Sequence, residues 1–324
     1  MNLFVSLKYL VALDDHKHFG RAALACHVTQ PALSNALRAL EESYGTAIVK
    51  RGRSFAGFTE EGERVLASAR RMLHEQELLQ QELDSRSGSP CGHLLIGSVP
   101  TAMPIAARFV ARLQALHPGI RPTLRSMSSV ELEAGLENLA LDLALGYTER
   151  MEQSRAQLRV LPQYTEHYFL LQQAPAEQVG GLQIGAEMRW QDAAALPLCL
   201  LSAEMHNRRI VDRAFAEAGA ASVQAAIESN STVTLVACVV AGQVSSVLPG
   251  ALLGEIQAYG PSTCGLQARP LVAPQVAVPI ALMLHQGSRP SRTLEAALAL
   301  AEDPAWLAEA AQHSGLLQGA ERSF

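Results

Sequence analysis

The chain lacks the residue spacings that announce metal or redox chemistry. Its five cysteines (Cys26, Cys91, Cys199, Cys238, Cys264) are odd in number and scattered through 324 residues. No pair has zinc-ligand or thioredoxin-type spacing, and Cys199 has no near-sequence partner, so free thiols in a reducing compartment are expected. The ten histidines are equally dispersed, and the "HEQEL" segment at His74 lacks the second histidine of a zincin. A Walker loop, a G-x-G-x-x-G turn and a G-x-S-x-G elbow are missing too, so no enzyme activity, cofactor or metal is expected. No apolar run approaches the roughly 18–20 residues of a membrane span. The uncharged stretch Ser231–Gly254 comes nearest, but Gly242, Gln243, Ser245, Ser246 and Pro249 interrupt it. The first residues are amphipathic, with Lys8 and no apolar signal core, which predicts a cytoplasmic location. Solenoid repeats and low-complexity tracts are absent as well.

What is present is an ordinary globular composition, 48% hydrophobic and 18% charged, in a chain too long for one core. The net charge of -5 is unevenly spread. Residues 1–59 carry seven Lys/Arg against four Asp/Glu, and the remainder carries 19 against 27. A small basic head on a larger acidic body permits a local contact with nucleic acid.

Within the head, "HVTQPALSNALRALEESYG" (His27–Gly45) predicts a helix with both ends marked. Thr29 is the N-cap, Pro31 occupies the first turn and Gly45 closes the C-terminus. Leu33, Leu37, Leu40 and Tyr44 share one face, while Gln30, Ser34 and Arg38 line up on another. Before it come a helix over about Phe4–Asp14, with Phe4, Leu7, Leu10 and Val11 on its apolar face, and a short alanine-rich helix over His18–Cys26. After it, "TAIVKRGRSFAGFT" reads as a two-stranded basic wing. Three helices and a wing in residues 1–59 describe a winged helix-turn-helix. Residues 60–86 form a long helix whose stripe of Val65, Leu66, Ala69, Met72, Leu73, Leu79 and Leu83 is expected to pair with a second copy. A Gly/Ser/Pro hinge follows at 87–92.

From residue 93 strands and helices alternate, which predicts a mostly parallel sheet covered on both faces. Two α/β lobes are read: 93–162 with 266–303, and 163–265, the chain crossing near Leu161–Glu166 and Cys264–Pro270. Residues 304–324 are read as a tail. Ser128 and Glu131 are spaced as a capping box.

In a helix-turn-helix the second helix of the motif enters the major groove. Gln pairs with adenine, Arg with guanine, and Ser or Thr with a base or phosphate. Thr29, Gln30, Pro31, Ser34, Asn35 and Arg38, with Arg51 and Arg53 from the wing, are therefore the candidate contacts to double-stranded DNA.

Those same residues resemble a known family. "FGRAALACHVTQPALSNALRALEESYG", Arg51 and "FTEEGERVL" resemble the N-terminal domain of LysR-type transcriptional regulators, and "GHLLIGSVPTAMP", "LDLALGY" and "VACVVAGQVSSVLP" resemble their effector domain. The resemblance covers about 300 residues and departs at Cys26 and Val49, both core positions. It implies an α/β protein with an N-terminal all-α winged helix-turn-helix, a long dimerisation helix, and a bilobed, periplasmic-binding-protein-like effector domain. It also implies a homodimer and homotetramer on a palindromic operator, contact with RNA polymerase, and a small-molecule co-inducer. The alternative from another class is an enzyme or solute-binding protein carrying an accessory DNA-binding head.

In open α/β sheets ligands sit beyond the carboxyl ends of strands where strand order reverses. Ser98 and Thr101, Ser128 and Ser129, and Thr148 after Tyr147 are the candidate effector contacts of the first lobe. Ser202, His206, Asn207 and Asn230 are those of the second. Hydroxyls at helix N-termini suit an anion such as a carboxylate.

Overall fold

The computed structural model describes residues 2–314 apart from 51, 53, 85–88, 152–157, 175–180, 221–222, 259–264 and 287–289. Arg51, Arg53 and Cys264 therefore lie outside the described residues. The chain divides into two compact units, one holding Met1–Gly88 with Asn138–Ala140 and one holding Ser89–Glu137 with Leu141–Phe324.

The first unit holds α1 (Leu3–His16), α2 (Phe19–Ala25), α3 (Gln30–Tyr44) and α4 (Glu60–Asp84). α1 buries Ser6, Leu7, Leu10 and Leu13, whereas Phe4 is exposed, so the apolar face is set by the three leucines rather than by Phe4. Leu33, Leu37 and Leu40 of α3 join them, and Tyr44, one turn on, faces solvent instead. Among its described residues the wing shows one bridge, Val49 to Phe58, flanked by backbone bonds Lys50 N–H to Gly57 O and Thr59 N–H to Ile48 O. α4 does not keep its whole stripe for a second copy. Leu66 and Ala69 are buried in this unit, and the Arg70 guanidinium reaches Asp14 at 2.7 Å and Asp15 at 2.8 Å. Only Met72, Leu79 and Leu83 remain as exposed apolar residues of that stripe.

The second unit is a long mixed sheet of two lobes. Its elements are β1 (Gly92–Ser98), α5 (Met103–Leu116), β2 (Ile120–Ser126), α6 (Ser129–Glu137), β3 (Leu143–Tyr147), α7 (Thr148–Met151) and β4 (Leu158–Gln173). Then come β5 (Leu182–Ile184), β6 (Met188–Arg189), α8 (Trp190–Ala193), β7 (Leu198–Leu201), α9 (His206–Glu217), β8 (Ile227–Ser229), α10 (Thr232–Ala241), β9 (Ser245–Pro249) and α11 (Gly250–Ala258). β10 (Leu266–Val272), β11 (Ala277–His285), α12 (Arg292–Ala301) and α13 (Pro304–Ser314) complete it. Strand order runs β2-β1-β3-β11-β4-β9-β7-β8, with β10 also on β4. Each lobe has a parallel triplet, β2-β1-β3 and β8-β7-β9, and the two are joined through antiparallel β11 and β4.

The pairing moves both expected lobe boundaries towards the C-terminus. β4 pairs with β11 up to His167 and with β9 from Tyr168, so the first crossing falls there rather than at 162/163. β10 pairs with Phe169–Gln173, wholly in the second lobe, so the return crossing lies between Val272 and Ala277 rather than at 265/266. Residues 304–314 are not a tail. They form α13, capped by the Asp303 carboxylate, with Trp306 fully buried against Phe109 and its indole N–H donating to Gln163 Oε1 at 2.7 Å.

Candidate functional site

The exposed face of α3 is built by its two caps and its leucines. Thr29 Oγ1 accepts from Ala32 N at 3.3 Å, and Gly45 ends the helix in the left-handed conformation, φ 64°. With Leu33, Leu37 and Leu40 turned inward, Gln30, Pro31, Asn35 and Arg38 stand exposed and Ser34 half-buried. Gln30, Ser34, Asn35 and Arg38 engage no hydrogen-bond or ionic partner among the described residues, which leaves their full donor and acceptor capacity outward.

Beside this face lies a groove of about 760 Å³, lined by Ser34 and Arg38 of α3 and by Lys50 and Gly52 of the wing. Glu41 fixes the wing to α3: its Oε1 accepts from Ile48 N at 2.7 Å and Val49 N at 2.9 Å. Thr59 donates to Ala47 O at 2.6 Å and accepts from Gly62 N at 2.9 Å, tying the wing to the start of α4. A Cβ on Gly62 would sit 2.1 Å from Ile48 O. The sequence signature around Glu41, Thr59 and Gly62 is therefore the locking mechanism of the wing.

The second site lies between the lobes, beyond the carboxyl ends of β1 and β7. The structure brings together Thr101, Ser128, Ser129, His206 and Asn207 of the residues expected there, with Tyr147 and an apolar wall of Val99, Pro100, Leu201 and Met205. Four expected residues do not reach the cavity. Ser98 is fully buried in β1 with its hydroxyl on Val99 O at 3.1 Å. Thr148 opens α7, Ser202 lies in the turn before α9 with its N–H on Ser229 O, and Asn230 is exposed ahead of α10. Ser128 and Glu131 form the expected capping box, at 2.8 and 3.3 Å, so the Ser128 hydroxyl is already committed.

Behind the cavity is a buried hydrogen-bond network whose acidic centre the sequence did not single out. Tyr147 OH bonds Thr101 Oγ1 at 2.7 Å, accepts from Asn207 Nδ2 at 3.0 Å and lies 3.3 Å from Glu166 Oε2. Asn207 Nδ2 also donates to Tyr168 OH at 2.9 Å, and Tyr164 OH donates to the other Glu166 oxygen at 3.4 Å. Glu166 has no exposure at all. Burial pushes its carboxyl up to about 8, against the opposing pull of the two tyrosine hydroxyls, so it holds a proton at neutral pH. Burial raises the three tyrosines well above the usual phenol value, seconded by the proximity of Glu166 at Tyr147 and Tyr164 and by that of Tyr147 at Tyr168.

Cys199 does have a neighbour, Cys238 of α10, distant in sequence. Burial and then that thiol push Cys199 up to about 12, so it stays protonated, the reverse of a reactive thiolate. Among the described residues no cluster of His, Cys, Asp or Glu could hold a metal, and no helix is long and apolar enough to cross a membrane.

Comparison with known proteins covers both units. The family profile described as "LysR substrate binding domain" matches residues 87–305, and "Bacterial regulatory helix-turn-helix protein, lysR family" matches 4–63. The hydrogen peroxide-inducible genes activator of Pectobacterium carotovorum subsp. carotovorum is 34% identical over 140 residues, 43% of this chain and 46% of that protein. The SDS degradation transcriptional activation protein of a Pseudomonas species is 32% identical over 163 residues, 50% and 53% of the two chains. The match thus spans about half the length of these relatives. Among solved structures, a full-length OxyR variant from Pseudomonas aeruginosa has TM-score 0.65 at 22% identity, covering 91% of this chain and 96% of that one. CbnR in complex with its target DNA has TM-score 0.63 at 18% identity, covering 95% and 99%. At these identities the likeness is one of fold.

Proposed function

The chain belongs to the LysR family of bacterial helix-turn-helix regulators, and on that footing we propose that it is a cytoplasmic, ligand-responsive transcription regulator. It binds a palindromic operator in double-stranded DNA as a homodimer or homotetramer and acts on RNA polymerase. The observation that carries this reading is the α3 face. Gln30, Asn35 and Arg38 project outward unengaged from a helix whose opposite side is locked into a core, beside a groove edged by Lys50. That is the arrangement direct base readout requires. The exposed Leu79 and Leu83 of α4 suit pairing with a second copy.

The test is binding of the full chain to duplexes selected from a random pool, compared with Gln30→Ala and Arg38→Ala. Each variant should lose about 1–3 kcal/mol of affinity and relax preference at particular base pairs. Uniform loss across all sequences, or no loss, would mean that the face does not read bases.

The effector is a small molecule held between the lobes, and its class is an anion such as a carboxylate. Supporting this, the starts of α6 and α9 and the 3₁₀ turn leading into α5 converge on the cavity, and helix N-termini favour negative charge. Ser129 Oγ, on a residue only 6% exposed, has no hydrogen-bond partner among the described residues, a donor held in reserve for a ligand. The enzyme alternative would be favoured only by turnover of a metabolite by the purified chain.

A further inference from the structure

Beside the α3 face stands an imidazole whose hydrogen is placed by the chain's own backbone. His18 is the N-cap of α2, and its Nδ1 accepts from Gly20 N at 3.0 Å and from Arg21 N at 3.3 Å. Both bonds use the Nδ1 lone pair, so that nitrogen carries no hydrogen and the ring N–H is at Nε2. The two ring nitrogens point in divergent directions, which aims Nε2 away from the capped turn. His18 is exposed, and Nε2 meets no hydrogen-bond or ionic partner among the described residues. The N–H groups of Gly20 and Arg21 are spent on the cap, so the group offered outward is the imidazole and not the helix terminus.

Its neighbour is the first residue of α3. A Cβ on Gly20 would lie 3.2 Å from His18 Cε1 and 3.5 Å from Gln30 Oε1, which places the imidazole beside the Gln30 carboxamide. Phe19, next in sequence, lines the groove together with Ser34, Arg38 and Lys50. In a helix-turn-helix seated on a duplex, the second helix of the motif reaches base edges while the first crosses the phosphodiester backbone. His18 stands at the entrance of that first helix and Gln30 at the entrance of the second. A base pair within reach of Gln30 therefore brings a flanking phosphate to His18. We propose that His18 donates its Nε2–H to a backbone phosphate oxygen next to the base pair that Gln30 reads, as a further contact of the DNA interface. This rests on the DNA-reading α3 face of the proposed function. The contact carries no base information; it fixes the register of the Gln30 end of α3 on the duplex. Because the donor is uncharged, it adds nothing to the salt dependence of binding, unlike an Arg or Lys contact.

The test compares the full chain with His18→Ser on a duplex that the wild type selects from a random pool. Serine is also a strong N-cap, and its hydroxyl ends well short of the Nε2 position, so α2 is kept while the outward donor is withdrawn. Binding should weaken about tenfold, the worth of one hydrogen bond to a charged oxygen, equally on duplexes with single base-pair changes and with an unchanged salt slope. Methylphosphonate, which removes a phosphate's charge, is then placed at each linkage in turn. At one linkage beside the Gln30 base pair its penalty should be about tenfold smaller for His18→Ser than for wild type. Equal affinity of the two proteins overturns the contact, and so do penalties that match at every linkage. Relaxed base preference in His18→Ser would make the imidazole a prop for Gln30, and weaker binding with loss of helical ellipticity in the free chain would make it a cap alone; either result overturns the proposal. If the wild type selects no duplex, the DNA-reading face itself fails, and the contact falls with it.

Discussion

Replacing Glu166 by glutamine should stabilise the second unit, by an amount that grows with pH. In the folded chain the Glu166 carboxyl titrates at about 8, against 4.5 for the free group, because it is fully buried. Between those values the unfolded chain has released the proton that the folded chain keeps, so folding is opposed by about 1.4 kcal/mol per pH unit. The favourable contribution is complete below pH 4.5 and is lost as pH rises to about 8. Across the window the limit is of the order of 5 kcal/mol. Glutamine keeps the acceptor for Tyr147 and Tyr164 but cannot ionise. Both tryptophans of the chain, Trp190 and Trp306, lie buried in this unit, so their fluorescence during urea unfolding reports on it. Measured at pH 5, 6, 7 and 8, the advantage of Glu166→Gln should widen steadily, other titrations cancelling in the difference. Parallel pH profiles for the two proteins would refute the buried, protonated carboxyl.

Further outcomes follow from single contacts. Gly62→Ala puts a Cβ against Ile48 O and should cost the first unit about 1–3 kcal/mol; the circular-dichroism transition that tryptophan fluorescence does not report should fall while the tryptophan transition stays, and the converse would contradict the packing. Trp306→Ala should lower the tryptophan-reported stability, read from Trp190, by about 3–5 kcal/mol; an unchanged midpoint would return α13 to the status of a tail. Ser129→Ala should leave thermal stability within about 0.5 kcal/mol, since the hydroxyl it removes has no partner among the described residues, but should abolish any carboxylate-induced rise in melting temperature. Cys199 should resist iodoacetamide in the folded protein at pH 8 and react only on unfolding, as a buried thiol held at about 12 requires.

How much of this was legible in the sequence depends on the range of the forces involved. α3 and its caps are legible because Thr29, Gly45 and the leucine spacing act within a turn or two. The Ser128–Glu131 box was legible for the same reason. The burial of Ser98 is not legible, because strand alternation does not say which side chain at the end of β1 turns into the core. Nothing in the sequence marks Glu166, since its burial is set by Tyr147 and Tyr164 and by lobes that meet only in the folded chain. The Cys199–Cys238 neighbourhood and the β10 pairing are likewise long-range. The exposure of Tyr44 reflects the end of the α3 contact surface, which period alone does not mark.

If the outward residues of α3 read bases, they distinguish one duplex from another. Footprinting of the pure full chain on the intergenic region beside its own reading frame, at modest ionic strength, measures this most directly. A protected, two-fold related pair of half-sites, lost with Arg38→Ala, is the predicted result. Protection nowhere, or protection indifferent to sequence and to Arg38, would contradict it.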